Sequence, residues 1–159
     1  MKYLKITFAI IFIAAFYFVY LFIPSKIVIK GLDNFPKSAY DGEKGIVQTQ
    51  YWDKWMPFKQ KDDKTSTFTF DNCTLRVDKG GMIDNAKSIL QIEDIETKLT
   101  ISAYYDTEKA ITAVLYDCTV NNNTMNPIKR IENYYTAKKL EKQIKEIMQA
   151  AKVYYSKQQ

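Results

Sequence analysis

The sequence predicts an α+β protein in which a membrane-spanning N-terminal helix precedes a curved antiparallel sheet, two short helices and one long C-terminal helix. Three observations lead there. Residues 6–23 carry no charge, residues 65–121 alternate apolar and polar side chains between tight turns, and the residues after Asn126 repeat an apolar stripe at helical spacing. With 159 residues, 47% hydrophobic and only 5 Gly and 4 Pro, the chain has a globular composition. Its length suits one domain of ordinary size. The expected division is an anchor over residues 1–25 and a folded domain over residues 26–159.

The run Ile6–Ile23 (ITFAIIFIAAFYFVYLFI) would span about 27 Å as a helix, just enough to cross a bilayer. Lys2 and Lys5 precede it, Tyr17 and Tyr20 lie near its far end, and Pro24 stops it. Signal cleavage requires small residues after the apolar core, whereas Leu21, Phe22 and Ile23 are bulky. The expectation is therefore an uncleaved anchor and a single-pass membrane protein. Lys26, Lys30 and Lys37 rival the N-terminal positive charge, so the charge rule nearly ties. The layout of an export signal favours an extracytoplasmic domain, and the cytoplasmic orientation stays open.

Lys26–Gly31 (KIVIKG) reads as a β-branched strand. Residues 33–58 mix Pro36, Gly42, Gly45 and Pro57 with helix-compatible stretches, which predicts two short helices or helical turns. Strands follow at Thr67–Phe70, Cys73–Lys79, Lys87–Glu93, Lys98–Tyr105 and Ala110–Asn121, with turns at Asp71-Asn72 and Gly80-Gly81 among those between them. Six strands joined by short turns imply an antiparallel meander. Asn126 then caps a long helix with Pro127 at its first position. Ile128, Ile131, Tyr135, Leu140, Ile144, Ile147, Ala151 and Tyr154 trace the apolar face that would lie across the sheet.

The absence of histidine removes the usual general base, the common nucleophile pairs and the commonest metal ligand. Carboxylates at Asp62-Asp63 and Glu93-Asp94-Glu96 fall in predicted turns, and Asp117 alternates with Tyr116 and Cys118, which turns it toward solvent. No catalytic cluster, metal site or cofactor is expected. The net charge of +5 comes from residues 129–157, where eight Lys or Arg face three Glu. A solvated helix face accounts for it, so no nucleic-acid partner is expected. Cys73 and Cys118 each alternate with apolar neighbours and should face the same side of the sheet. A disulfide between them is left open.

The segments Trp52-Asp53-Lys54-Trp55-Met56-Pro57 and Asn126-Pro127-Ile128-Lys129-Arg130, set in this order of elements, resemble the START-like helix-grip superfamily (SRPBCC, polyketide-cyclase-like), and within it a membrane-anchored bacterial subset. The likeness covers residues 26–157. It implies an apolar cavity between the sheet and the terminal helix that takes a lipid, hormone or polyketide, with Trp52 and Trp55 at or beside its mouth. The equal alternative for both indoles is plain core anchoring. The best lining candidates are Trp52, Trp55, Met56, Phe58, Phe70, Tyr116, Ile144 and Met148. Against a domain that binds an apolar or lipid-like ligand stands an envelope interaction or structural module with a filled core. Cyclase-like chemistry is the third reading.

Overall fold

The structure, a computed structural model, describes residues 2–40, 45–57, 59–62, 67–70, 73–77, 85–92 and 95–158. Helix α1 (Lys2–Phe22) leads into strand β1 (Lys26–Pro36), and two short 3-10 helices follow at Lys37–Ala39 and Thr49–Lys54. Strands β2 (Lys59–Asp62), β3 (Thr67–Phe70), β4 (Cys73–Val77), β5 (Asn85–Ile92), β6 (Ile95–Asp106) and β7 (Ile111–Asn121) precede helix α2 (Pro127–Ser156). All neighbouring strands pair antiparallel, in the order β1-β7-β6-β5-β4-β3-β2. The sheet thus has seven strands where the sequence suggests six. The additional one is β2 (KQKD), whose polar composition gives no strand signal. The proposed turns at Asp71-Asn72 and Gly80-Gly81 lie outside the described residues.

Alternation sets the two faces of the sheet. On β7, Thr112, Val114, Tyr116, Cys118 and Val120 are buried, while Leu115, Asp117 and Asn121 are exposed. On β6 the buried set is Thr97, Leu99, Ile101 and Ala103. These inner residues meet α2 through Leu140, Ile144, Ile147, Ala151 and Tyr155, each fully buried. The helix starts as its sequence dictates, with Asn126 Oδ1 accepting from the Ile128 and Lys129 amides at 3.0 and 3.2 Å and Pro127 in the first turn. Its predicted stripe holds from Leu140 to Ala151, ends on buried Tyr155 where Tyr154 was expected, and fails in the first half, where Ile128 and Tyr135 are exposed. Ile128 and Ile131 instead turn toward α1 and border a groove of about 540 Å³ with Phe12, Phe16 and Val19.

The expected membrane span is overturned. Among the described residues no helix is long and apolar enough to cross a membrane. Helix α1 stops at Phe22, one residue before the apolar run does, so its uncharged part from Ile6 to Phe22 reaches about 26 Å against about 30 Å of hydrocarbon. Its last turn is tied into the domain. The Tyr20 hydroxyl donates to the Met125 carbonyl at 2.6 Å, and the Arg130 guanidinium donates to the Ile23 carbonyl through Nε (2.8 Å) and Nη2 (2.6 Å) while lying 4.7 Å over the Tyr20 ring. The single-pass localisation and the extracytoplasmic placement rested on the span and are withdrawn with it.

Asn122 completes the junction from the sheet side. Its amide donates to the Ser25 carbonyl at 2.8 Å, and its Nδ2 donates to the carbonyls of Arg130 (3.1 Å) and Pro24 (3.3 Å). A helix end leaves carbonyls without partners, and here two side chains from the far end of the sequence supply them. The N-P-x-x-R segment therefore has a structural purpose in each of its polar members. Asn126 caps α2 and Arg130 caps α1.

Candidate functional site

Trp52 belongs to the 3-10 helix Thr49–Lys54 and Trp55 caps its C-terminal end with its amide donating to the Trp52 carbonyl at 3.3 Å. Their rings stand 5.4 Å apart between centroids at an interplanar angle of 54°. Their polar ends differ. The Trp52 indole is fully buried and donates from Nε1 to the Ile46 carbonyl at 2.8 Å, fixing the preceding loop. Trp55 is 6% exposed, and its Nε1 is buried with no hydrogen-bond partner. The Tyr155 hydroxyl lies within reach of that N–H. Burial, with Tyr154 adding to it, holds the Tyr155 hydroxyl protonated well beyond the ordinary phenol range, and the Trp55 N–H acts against that.

Helix α2 contributes Ile144, Met148, Ala151 and Tyr155, whose steps of 4, 3 and 4 keep them on one face. The sheet contributes Tyr116 and Cys118 from β7, beside Leu99 of β6, which pairs with Cys118. Tyr116 lies directly opposite Gly31 in the β1–β7 ladder, and its ring end occupies the space a side chain at position 31 would need. Its hydroxyl is pushed above the usual range by burial first and by Asp33 and Glu141 next, with Lys145 opposing. Thr112, also on β7, is fully buried and leaves its Oγ1 without a partner.

Of the predicted lining residues, Trp52, Trp55, Met56, Tyr116, Ile144 and Met148 belong to one buried cluster. Phe58 lies outside the described residues, and Phe70 stands in β3 with its side chain undescribed. Cys73 and Cys118 point into the same cluster as free thiols. β5 and β6 lie between their strands, a separation of about 14 Å at the usual strand spacing, so the disulfide left open by the sequence does not form. Burial pushes the Cys73 thiol up to about 11 and raises Cys118 as well, the latter against a 3.4 Å contact with the Thr97 hydroxyl. Both therefore stay protonated and behave as small apolar groups. Among the described residues no three His, Cys, Asp or Glu side chains come together as metal ligands.

Sequence reasoning did not single out Thr112, Tyr155 or the Gly31–Tyr116 pair. Thr112 was within reach, because it shares the alternation that turns Cys118 inward. Tyr155 was ambiguous, since a step of 3 or of 4 from Ala151 both stay on a helical face. The Gly31–Tyr116 pair depends on a register that no single strand reveals.

Compared with solved structures, the chain is similar to Ara h 8.0201 with a TM-score of 0.54 and 7% identity, over 83% of this chain and 99% of that one. The fold is the helix-grip. At that identity the likeness speaks for the helix-grip architecture alone. The chain also aligns with CalU16 from Micromonospora echinospora at a TM-score of 0.41 and 9% identity, over 82% of this chain and 85% of that one, too low a score to bear on the argument. No protein-family model and no curated protein matches the chain. In helix-grip terms, the Trp pair sits at the C-terminal end of the gripped helix, and the Arg130 junction sits at its start.

Proposed function

We propose that the domain binds one apolar, lipid-like small molecule between the inner face of the sheet and α2. The observation that carries this reading is the presence of orphaned polar atoms inside an otherwise apolar interior, Trp55 Nε1 beside α2 and Thr112 Oγ1 on the sheet. A buried polar atom without a partner costs about 1–3 kcal/mol, and folded chains keep few of them without cause. A guest with a polar atom of its own supplies such a cause.

The walls suit a guest of that kind. Met56 and Met148 adapt their shape, and Trp55, Tyr116 and Ile144 provide rigid apolar area. The ligand classes implied by the START-like resemblance agree with that chemistry. The test uses the fact that Trp52 and Trp55 are the chain's two tryptophans. A brominated alkane quenches indole emission only on contact, so saturable quenching with micromolar affinity is the expected result, and an alkane bound along α1 gives none. Absence of quenching at saturating alkane overturns the reading in favour of the filled-core interaction module.

A further inference from the structure

We infer that the chain pairs with a second copy of itself through α1, the two α1 helices lying antiparallel and each filling the groove between α1 and α2 of the other copy. This surface is separate from the layer between the sheet and α2, and the inference stands independently of the ligand reading.

A helix that is apolar on every side is ordinarily enclosed. From Ile6 to Phe22, α1 has no charged residue, and among these positions only Phe16, Val19 and Tyr20 are half-buried. Phe8, Phe12, Tyr17, Phe18 and Phe22 are each between 53% and 72% exposed. An aromatic side chain covers about 150–250 Å² when buried, so these five leave about 500–800 Å² bare. The largest apolar patch of a soluble monomer is about 300–600 Å², whereas a stable interface takes about 800 Å² from each partner. The bare area of α1 is that of one half of a dimer interface.

The groove selects the occupant. Phe12, Phe16 and Val19 form its α1 wall and Pro127, Ile128 and Ile131 its α2 wall, around about 540 Å³, and among the described residues none that borders it carries a charge. A charged peptide or a nucleic acid finds nothing there to pair with. Phe12 belongs both to that wall and to the bare aromatics, with its ring 5.3 Å from that of Phe16. Projection and recess therefore share one patch, which is the condition for a twofold interface, where a surface must complement itself. With the two α1 helices antiparallel about Phe12, Phe8 of each copy falls beside Phe16 of the other and enters its groove.

Sedimentation equilibrium of the full chain should give about 37 kDa, twice the 18.6 kDa of one copy, with a micromolar or tighter dissociation constant. Phe12→Glu places carboxylates at the axis and should weaken the dimer by about a hundredfold or more. Phe12 is exposed in the single copy, so that copy keeps its fold. Leu32→Glu, at a comparably exposed apolar residue of β1, should leave the dimer unchanged. Phe12→Cys should cross-link copy to copy through a short bismaleimide, whereas Phe22→Cys, about 30 Å from its counterpart in the antiparallel arrangement, should not. The native Cys73 and Cys118 are buried and do not compete. A chain that stays monomeric well above micromolar concentration overturns the inference. So does a dimer indifferent to Phe12→Glu, or one in which Phe22→Cys cross-links as readily as Phe12→Cys. Phosphatidylcholine vesicles that take up the monomer at the expense of the dimer assign these residues to a lipid surface and overturn it as well.

Discussion

At the scale of single residues, burial matters here through what it does to polar atoms. Cys73 shows this with a sign that can be measured. Its pKa rises from the ordinary 9.0 to about 11 in the folded protein because burial disfavours the thiolate. A group whose folded pKa is raised contributes stability that is complete below the unfolded value and is lost as pH climbs through the folded one. Unfolding free energy should therefore fall between pH 9 and about 11, with Cys73 accounting for about 2–3 kcal/mol of the loss. Urea titrations at the two ends of that window check it. Cys73→Ala should remove that share while leaving the part due to Cys118 and the buried tyrosines. An alkaline loss identical in wild type and variant would show that the thiol ionises as freely in the folded state as in the unfolded chain.

At the scale of elements, α2 divides into two halves that the sequence presents as one. The stripe from Leu140 to Ala151 was legible because apolar side chains recur there at the helical period and have a single surface, the sheet, to cover. Ile128 and Tyr135 match the same period, yet they are exposed, and Ile128 borders the groove shared with α1 rather than the sheet. Periodicity reports that a helix has an apolar face, not which neighbour meets it. Ile144→Ala should accordingly cost about 2–5 kcal/mol, whereas Ile128→Ala should change stability by less than about 0.5 kcal/mol, both read from chemical denaturation. Comparable losses at the two positions would mean that the helix buries both halves alike. Strand β2 was illegible for the converse reason. KQKD has no apolar alternation, and its strand form derives from pairing with β3. The site shows the same division. The burial of six of the predicted residues was legible from their large apolar side chains, whereas the placement of Trp55 Nε1 beside Tyr155 follows from three-dimensional packing, which composition does not encode.

At the scale of the whole molecule, the junction of α1, β1 and α2 decides how the parts move together. Arg130 is 6% exposed and donates twice to one carbonyl at the end of α1, so its loss is both a lost cap and a lost tertiary bond. Arg130→Met, similar in length and without charge, should lower unfolding stability by about 2 kcal/mol. A spin label introduced at Phe12→Cys should give a sharper spectrum in that variant than in the parent, and an unchanged spectrum would show that the contacts of Tyr20 and Asn122 suffice to hold α1. In mechanical language the junction is a weld rather than a hinge: α1 and α2 form a bent beam fixed at its corner, and the long arm is the bar that closes the grip. If the proposed guest wedges α2 outward from the sheet, α1 should swing with it, and by reciprocity a load on the outer residues of α1, such as Phe8 or Phe12, should bear on α2. Helix α1 is thereby a handle on the bar that closes the grip.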